Sequence, residues 1–387
     1  MSLEVLSPVS ADVFAYIKQK SSHSIGNLIS IHSEEKGIPE LKKGNIAILG
    51  VLESKRTSNI NELNSIDGFR KSFYSLFPGH WHQDIIDLGD IKAGHTFEDT
   101  CFALISILSL LLKEQIIPVI IGGSQALTYA QYRAYDKIKS MINIVNVDAC
   151  FDMGNADEEL HTSNFVSKAV LNQPYNLFNY ASLGYQTYFN AQEEIDLMEQ
   201  LNFESYRLGE LSQEIETAEP ALRDADIVSI DKNSIKVSEL NTNENGSANG
   251  FDSREICAIT RYAGISEKLT SLGCYEFALN LEIDKTSNLL AQMIWYFIEG
   301  VNLRVEEDTK LDLKYYQKFS VLQNEREIIF FKSLKTGRWW IEIPFFQNVN
   351  NKLKKQSLLP CTTQDYEAAM RGILPERWLK AIKKNAL

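Results

Sequence analysis

Short apolar runs alternate with amphipathic stretches along most of this chain. Gly-bounded or β-branched runs at residues 44–51, 84–90, 116–121, 143–148, 177–183, 227–231 and 275–283 predict buried strands. Between and around them, apolar residues recur at helical spacing over 11–20, 68–77, 97–115, 125–138, 191–201, 253–263 and 287–302. Strands alternating with helices of this length predict an α/β fold: a mostly parallel sheet between two helical layers, α-β-α. Beyond about residue 305 the alternation ends. Residues 327–332 and 338–343 flank a Gly-containing turn and predict a hairpin, and 365–371 and 375–384 predict terminal helices. The chain thus divides into a lead-in (1–43), an α/β domain (44–305) and a C-terminal extension (306–387).

Three of the predicted strands end in polar chemistry. The run from Ile142 to Val147 stops at Asp148-Ala149-Cys150-Phe151-Asp152, the run before Gly122-Gly123-Ser124 leads into Gln125, and the run from Ile227 leads to Asp231-Lys232-Asn233. In open α/β sheets ligands bind at the carboxyl ends of the strands. If these three strands are parallel neighbours, Gln125, Asp148, Cys150, Asp152, Asp231 and Asn233 converge on one site.

Composition narrows the function classes. With 387 residues, 44% hydrophobic and 23% charged, the chain can bury a large core. Its 51 acidic and 39 basic residues give a net charge of -12, which argues against nucleic acid or an anionic membrane as partner, the basic run at 351–355 reading as solvated surface. The start of the chain lacks a basic segment followed by an apolar one, and no later stretch reaches the roughly 18 apolar residues of a membrane helix, so the expected location is the cytoplasm. Five scattered cysteines with no CxxC pair predict reduced thiols.

In order and spacing, the motifs Gly122-Gly123-Ser124-Gln125-Ala126, Asp148-Ala149-Cys150-Phe151-Asp152, Ser229-Ile230-Asp231-Lys232-Asn233 and Leu281-Glu282-Ile283-Asp284 resemble the ureohydrolase superfamily of arginase, agmatinase and formimidoylglutamase, most closely the last. The resemblance covers roughly residues 44–302 and implies an arginase-like sheet. It also implies a site where two manganese ions share six ligands and activate a bridging hydroxide against a guanidino or formimino carbon. Carried over position by position, the first His of that pattern is Gln125 here, the second is Cys150 and the last carboxylate is Asn233. Asp148, Asp152 and Asp231 remain. One metal position keeps three carboxylates and a Gln whose carbonyl can offer oxygen; the other keeps Asp148 and Asp231 beside a thiol and an amide. Hard divalent ions prefer oxygen donors, so the implied cofactor is manganese or another divalent cation, at most one and weakly bound. Glu282 matches the Glu that holds the substrate's guanidinium or formimino group, and His161 the proton-shuttling His, although Thr162 follows it where the family has Gly.

These residues imply a ureohydrolase-like protein that has lost efficient hydrolysis and is kept for binding, regulation or assembly, with a small amidine or guanidino ligand. The alternative is a working C–N hydrolase with a single or altered metal. A third option sets the Cys150 thiolate as nucleophile with His161 as base. The aromatic tail, with Trp339, Trp340 and Trp378, is expected either to pack on its own domain or to form an oligomer contact.

Overall fold

The structure, a computed structural model, describes residues 3–56, 65–241, 246–277, 279, 281–307, 313–323, 326–344 and 357–386. The basic run at 351–355 and part of the polar loop after residue 241 lie outside them.

Ten strands form the main sheet: β1 (Leu6–Ser7), β2 (Ser30–Ile31), β3 (Ile46–Leu52), β4 (Ile85–Lys92), β5 (Ile117–Gly122), β6 (Ile142–Val147), β7 (Leu177–Tyr185), β8 (Glu204–Arg207), β9 (Ile227–Asp231) and β10 (Ser271–Tyr275). They run in the order β1-β4-β3-β5-β10-β9-β6-β7-β8, with β2 also paired to β4. Every pairing is parallel except β1 with β4. Strands covered on both faces must be apolar throughout, and β3, β5, β6 and β9 are buried along nearly their whole length. One face carries the helices Asp67–Ser75, Ser253–Ile265 and Lys285–Asn302; the other carries Phe97–Lys113, Leu127–Arg133 and Phe165–Leu171. Reciprocal caps start the long helices: Thr96 with Asp99, Asp252 with Glu255, and Asp284 with Ser287.

Two corrections to the sequence reading bear on the site. The strand expected at 275–283 lies at Ser271–Tyr275 instead. Its apolar pattern is diluted by Gly273, where a Cβ would stand 2.4 Å from the Tyr275 ring, and its end is set by Glu276, which turns into left-handed backbone at φ 61°. Leu281 and Ile283, which gave the expected strand its apolar look, are exposed. Secondly, β5, β9 and β6 are not three neighbours. β10 pairs with both β5 and β9 and so lies between them. The short strands β1, β2 and β8 escape periodicity altogether, since two to four residues cannot establish one; through β1 and β2 the lead-in joins the main sheet.

The C-terminal extension builds its own antiparallel sheet from β11 (Tyr316–Gln323), β12 (Arg326–Ser333), β13 (Trp339–Ile343) and β14 (Ser357–Cys361), followed by the helices Thr363–Met370 and Glu376–Ala386. The expected hairpin is β12 with β13. Among the described residues, Trp339, Ile341 and Trp378 share one apolar cluster, while Trp340 packs with Tyr316 and Phe331. Buried polar contacts then fix this sheet to the α/β domain. Arg377 donates to Glu204 (2.8 Å), to Asp224 (3.0 Å) and to the Pro360 carbonyl (2.6 Å), joining β8, the approach to β9 and β14. Arg223 donates to the carbonyls of Trp339 (3.0 Å) and Cys361 (3.1 Å). Through these contacts the extension meets the α/β domain.

Removing one partner of a buried ion pair leaves the others uncompensated, at about 3–5 kcal/mol. Arg377→Ala is expected to destabilise the chain by an amount of that order, read as a lower urea midpoint by tryptophan fluorescence. An unchanged midpoint would show that the extension is not held through Arg377.

Candidate functional site

β5, β10, β9 and β6 lie side by side and end on one lip, and each delivers a polar residue there. Gln125 follows β5, Glu276 follows β10, Asp231 ends β9, and Asp148 and Asp152 follow β6. All five are buried, none more than 5% exposed. Gln125 Nε2 donates to Asp148 Oδ2 (2.8 Å) and to Asn146 Oδ1 (3.1 Å), and the Gln125 backbone N–H donates to Glu276 Oε1 (3.0 Å). Asn146, inside β6, donates through Nδ2 to Asp152 Oδ2 (3.3 Å) and to the Tyr180 hydroxyl (3.1 Å), which itself donates to the Phe151 carbonyl (3.1 Å). Asp148 Oδ1 accepts the Cys150 N–H (3.1 Å), and Asp231 Oδ1 accepts the Asn233 N–H (2.6 Å). Asp152, on left-handed backbone at φ 57°, hydrogen-bonds the Asp148 carboxylate. With Glu276, two of the carboxylates therefore sit on backbone that side chains other than Gly rarely adopt, the kind of strain that collects at functional sites.

Electrostatics follow from this crowding. Burial, and then the charges of Asp148 and Asp231, push the Asp152 carboxyl well above the usual carboxylate range; burial, Asp148 and Glu276 do the same to Asp231. Asp148 is also raised by burial, against which the Gln125 and Cys150 hydrogen bonds work. Lys232, itself 3% exposed, is the cation that lowers Asp231 in opposition. Among the described residues, no group of three or more His, Cys, Asp or Glu side chains is arranged to hold a metal ion.

The sequence-predicted residues divide accordingly. Gln125, Asp148, Asp152 and Asp231 come together, with Cys150 and Asn233 beside them. Gln125 does not present its carbonyl to the site as expected: Asn146 uses its own amide N–H on Asp152 and Tyr180, leaves Oδ1 for Gln125 Nε2, and so turns the Gln125 N–H group toward Asp148. Cys150 is unsuited to the nucleophile role, because burial and the charges of Asp148, Asp152 and Asp231 push its thiol far up. His161 caps the short helix Thr162–Asn164; its Nδ1 accepts the Ser163 N–H (3.3 Å) and its Nε2 meets Glu158 (3.3 Å), so both ring nitrogens are occupied away from the carboxylates. Glu282 stands 87% exposed in the segment after β10, 3.5 Å from Lys71 Nζ. The carboxylate that β10 brings to the lip is Glu276, missed because the strand was placed several residues too late. Asn146 and Lys232 were legible as polar residues in or directly after buried runs; Tyr180 carries no such signal.

A family model for the arginase family matches residues 64–299. Among solved structures, a Trypanosoma cruzi formiminoglutamase with Mn2+ is similar with a TM-score of 0.63 and 18% identity, over 73% of this chain and 99% of that one. The formimidoylglutamase of Bacillus subtilis gives 0.62 and 18%, over 73% and 93%, and a hypothetical agmatinase of Burkholderia thailandensis 0.59 and 15%, over 72% and 90%. A 72-residue segment is 36% identical to an uncharacterised 32.2 kDa protein of Methanothermus fervidus, spanning 18% of this chain and only 25% of that protein. The matched segment contains every strand of the lip and all four of its carboxylates, and the chain belongs to the arginase family.

Proposed function

We propose that this arginase-family chain is a binding protein for a small amidine or guanidino cation and lacks efficient hydrolase activity. The observation that carries the reading is the orientation of Gln125, whose amide N–H satisfies Asp148. A metal ligand at that position would have to present a lone pair, whereas this group presents a proton. The remaining donors act in the same sense. Backbone N–H groups cover Asp148 and Asp231, Asp152 shares a proton with Asp148, and Lys232 offsets Asp231. Such a donor set neutralises the carboxylates from within and does not fit two divalent ions, which would need those oxygens free. What the lip retains is a concentration of buried carboxyl groups, complementary to a planar, multiply donating cation.

The second reading is a C–N hydrolase with one or an altered metal. It is supported by the three aspartates on one lip and by the Mn2+ of the Trypanosoma cruzi relative. Ammonia- and urea-release assays with manganese separate the two. No release from formiminoglutamate, agmatine or arginine is expected, with at most one manganese bound weakly in titration calorimetry. Turnover of any of them with two manganese per chain would sink the proposal. The triple variant Gln125→His, Cys150→His, Asn233→Asp is expected to bind manganese more tightly than the parent; equal binding would show that these are not the altered ligand positions.

The raised carboxyls also predict a pH dependence. Asp152 and Asp231 hold protons more tightly in the folded chain than in the unfolded one, so stability falls as pH rises from about 4 through their raised values. The amide isosteres Asp152→Asn and Asp231→Asn cannot lose that proton. Each is expected to raise stability at about pH 8 and to change it little at about pH 4. Destabilisation at the higher pH, in thermal melts of metal-free protein, would mean that the charged forms are needed.

A further inference from the structure

The two sheets end in edges of different kinds. In the main sheet the outer strands are short, two residues in β1 and four in β8. In the C-terminal sheet one outer strand, β14, is blocked. Pro360 has no N–H to offer, and the carbonyls of Pro360 and Cys361 accept from Arg377 (2.6 Å) and Arg223 (3.1 Å). The other outer strand, β11, has none of these protections. It pairs with β12 along all eight of its residues without a break in register, contains no proline and carries one charge, Lys318. Among the described residues β12 is its one strand neighbour, which leaves the opposite side of β11, from Gln317 onward, as the edge of the sheet. Gln317, Lys318, Ser320 and Leu322 are exposed, Leu322 by 77%. A long, flat edge of this kind is a template for a further strand.

Apolar surface continues along this edge. Phe319 and Val321 pack on the Trp339 cluster and are only partly buried. At the end of the strand Gln323 donates to the Gly372 carbonyl, so the exposed Met370 and Ile373 stand close by. The edge is also complementary to its own copy. An antiparallel strand related by a two-fold axis perpendicular to the sheet keeps each residue on its own face, so residues of the same parity meet. With the axis at Ser320, Phe319 meets Val321 of the second copy, Gln317 meets Gln323, and Lys318 meets Leu322. The two Lys318 side chains are then about 13 Å apart along the strands, beyond the screening length of about 8 Å at physiological salt. Opposite charge lies nearer. Glu327, exposed on β12 directly opposite Leu322, leans toward the edge and accepts from Ser320 Oγ. Two strand spacings, about 10 Å, separate it from Lys318 of the second copy, within the joint reach of the two side chains across Leu322.

We propose that β11 is the contact edge of a symmetric dimer, pairing antiparallel with β11 of a second copy about Ser320 and joining the two four-stranded sheets into one. Lys318 of each copy meets Glu327 of the other and covers Leu322. The edge belongs to the extension beyond the family match, which ends at residue 299, so the contact is a property of the extension and independent of the carboxylate lip.

Light scattering of the full chain is expected to give an even multiple of the 44.0 kDa chain mass. Ser320→Lys, at an exposed position, sets two like charges face to face at the axis and is expected to halve that mass with an unchanged circular dichroism spectrum. Charge reversal tests the register. Lys318→Glu or Glu327→Lys alone is expected to weaken the dimer Kd by about tenfold, the scale of two exposed ion pairs, and the two together to restore it. An odd multiple of the chain mass would leave the edge to another partner and overturn the proposal. So would a folded Ser320→Lys variant that keeps the parent mass, or a double reversal that dimerises no more tightly than the single ones.

Discussion

Buried like charge is the constraint around which this molecule is arranged. Three adjacent strands, β10, β9 and β6, bring four carboxyl groups to one lip, each of them at most 5% exposed. An uncompensated ion in such a place costs several kcal/mol, so every carboxylate needs a proton, a donor or a cation. The chain supplies all three kinds. Gln125 and Asn146 thread an amide relay through the cluster, backbone N–H groups at Cys150 and Asn233 cover the oxygens that face the loops, and Lys232 stands beside Asp231. The relay is closed by Tyr180, whose hydroxyl ties Asn146 to the Phe151 carbonyl. A network satisfied in this way is rigid, and losing one member leaves the rest unpartnered.

The same principle recurs at the junction with the C-terminal extension. Glu204 is fully enclosed, yet its carboxyl is held below its usual range, because the opposition of burial is overcome by Arg377 and Lys384. The lip and the junction thus treat buried acids in opposite ways. At the lip burial, and then crowding, drives Asp152 and Asp231 toward the protonated form; at the junction arginine and lysine keep Glu204 and Asp224 charged and use them to clamp a second sheet to the first. Of these two places, the lip is the one where an incoming cation would replace a proton.

Much of this arrangement is legible in the sequence. The β-branched runs ending at Asp148 and Asp231 are long enough and apolar enough to be read as buried parallel strands, and their order with Gly122-Gly123 suffices to identify the sheet. What escaped depended on contacts between distant residues. The position of β10 turns on Gly273 yielding space to the Tyr275 ring and on the left-handed turn at Glu276, neither of which periodicity registers. Glu282, a carboxylate in an apolar stretch, looked like the better candidate for the same reason. The direction of the Gln125 amide was equally hidden, since it is fixed by Asn146 and, through it, by Tyr180 from the neighbouring strand. Cys150 has nucleophile chemistry by residue type, but burial, and then the carboxylates packed around it, push its thiol up, which residue type does not register.

The central claim is that protons and internal donors, rather than a pair of metal ions, neutralise the lip. Anomalous diffraction from crystals grown with manganese addresses it most directly, because it locates ions without reference to activity. No paired peaks are expected at Asp148, Asp152 and Asp231, and at most a single site of low occupancy. Two well-occupied peaks about 3.5 Å apart, the spacing of two-metal hydrolases, would contradict it.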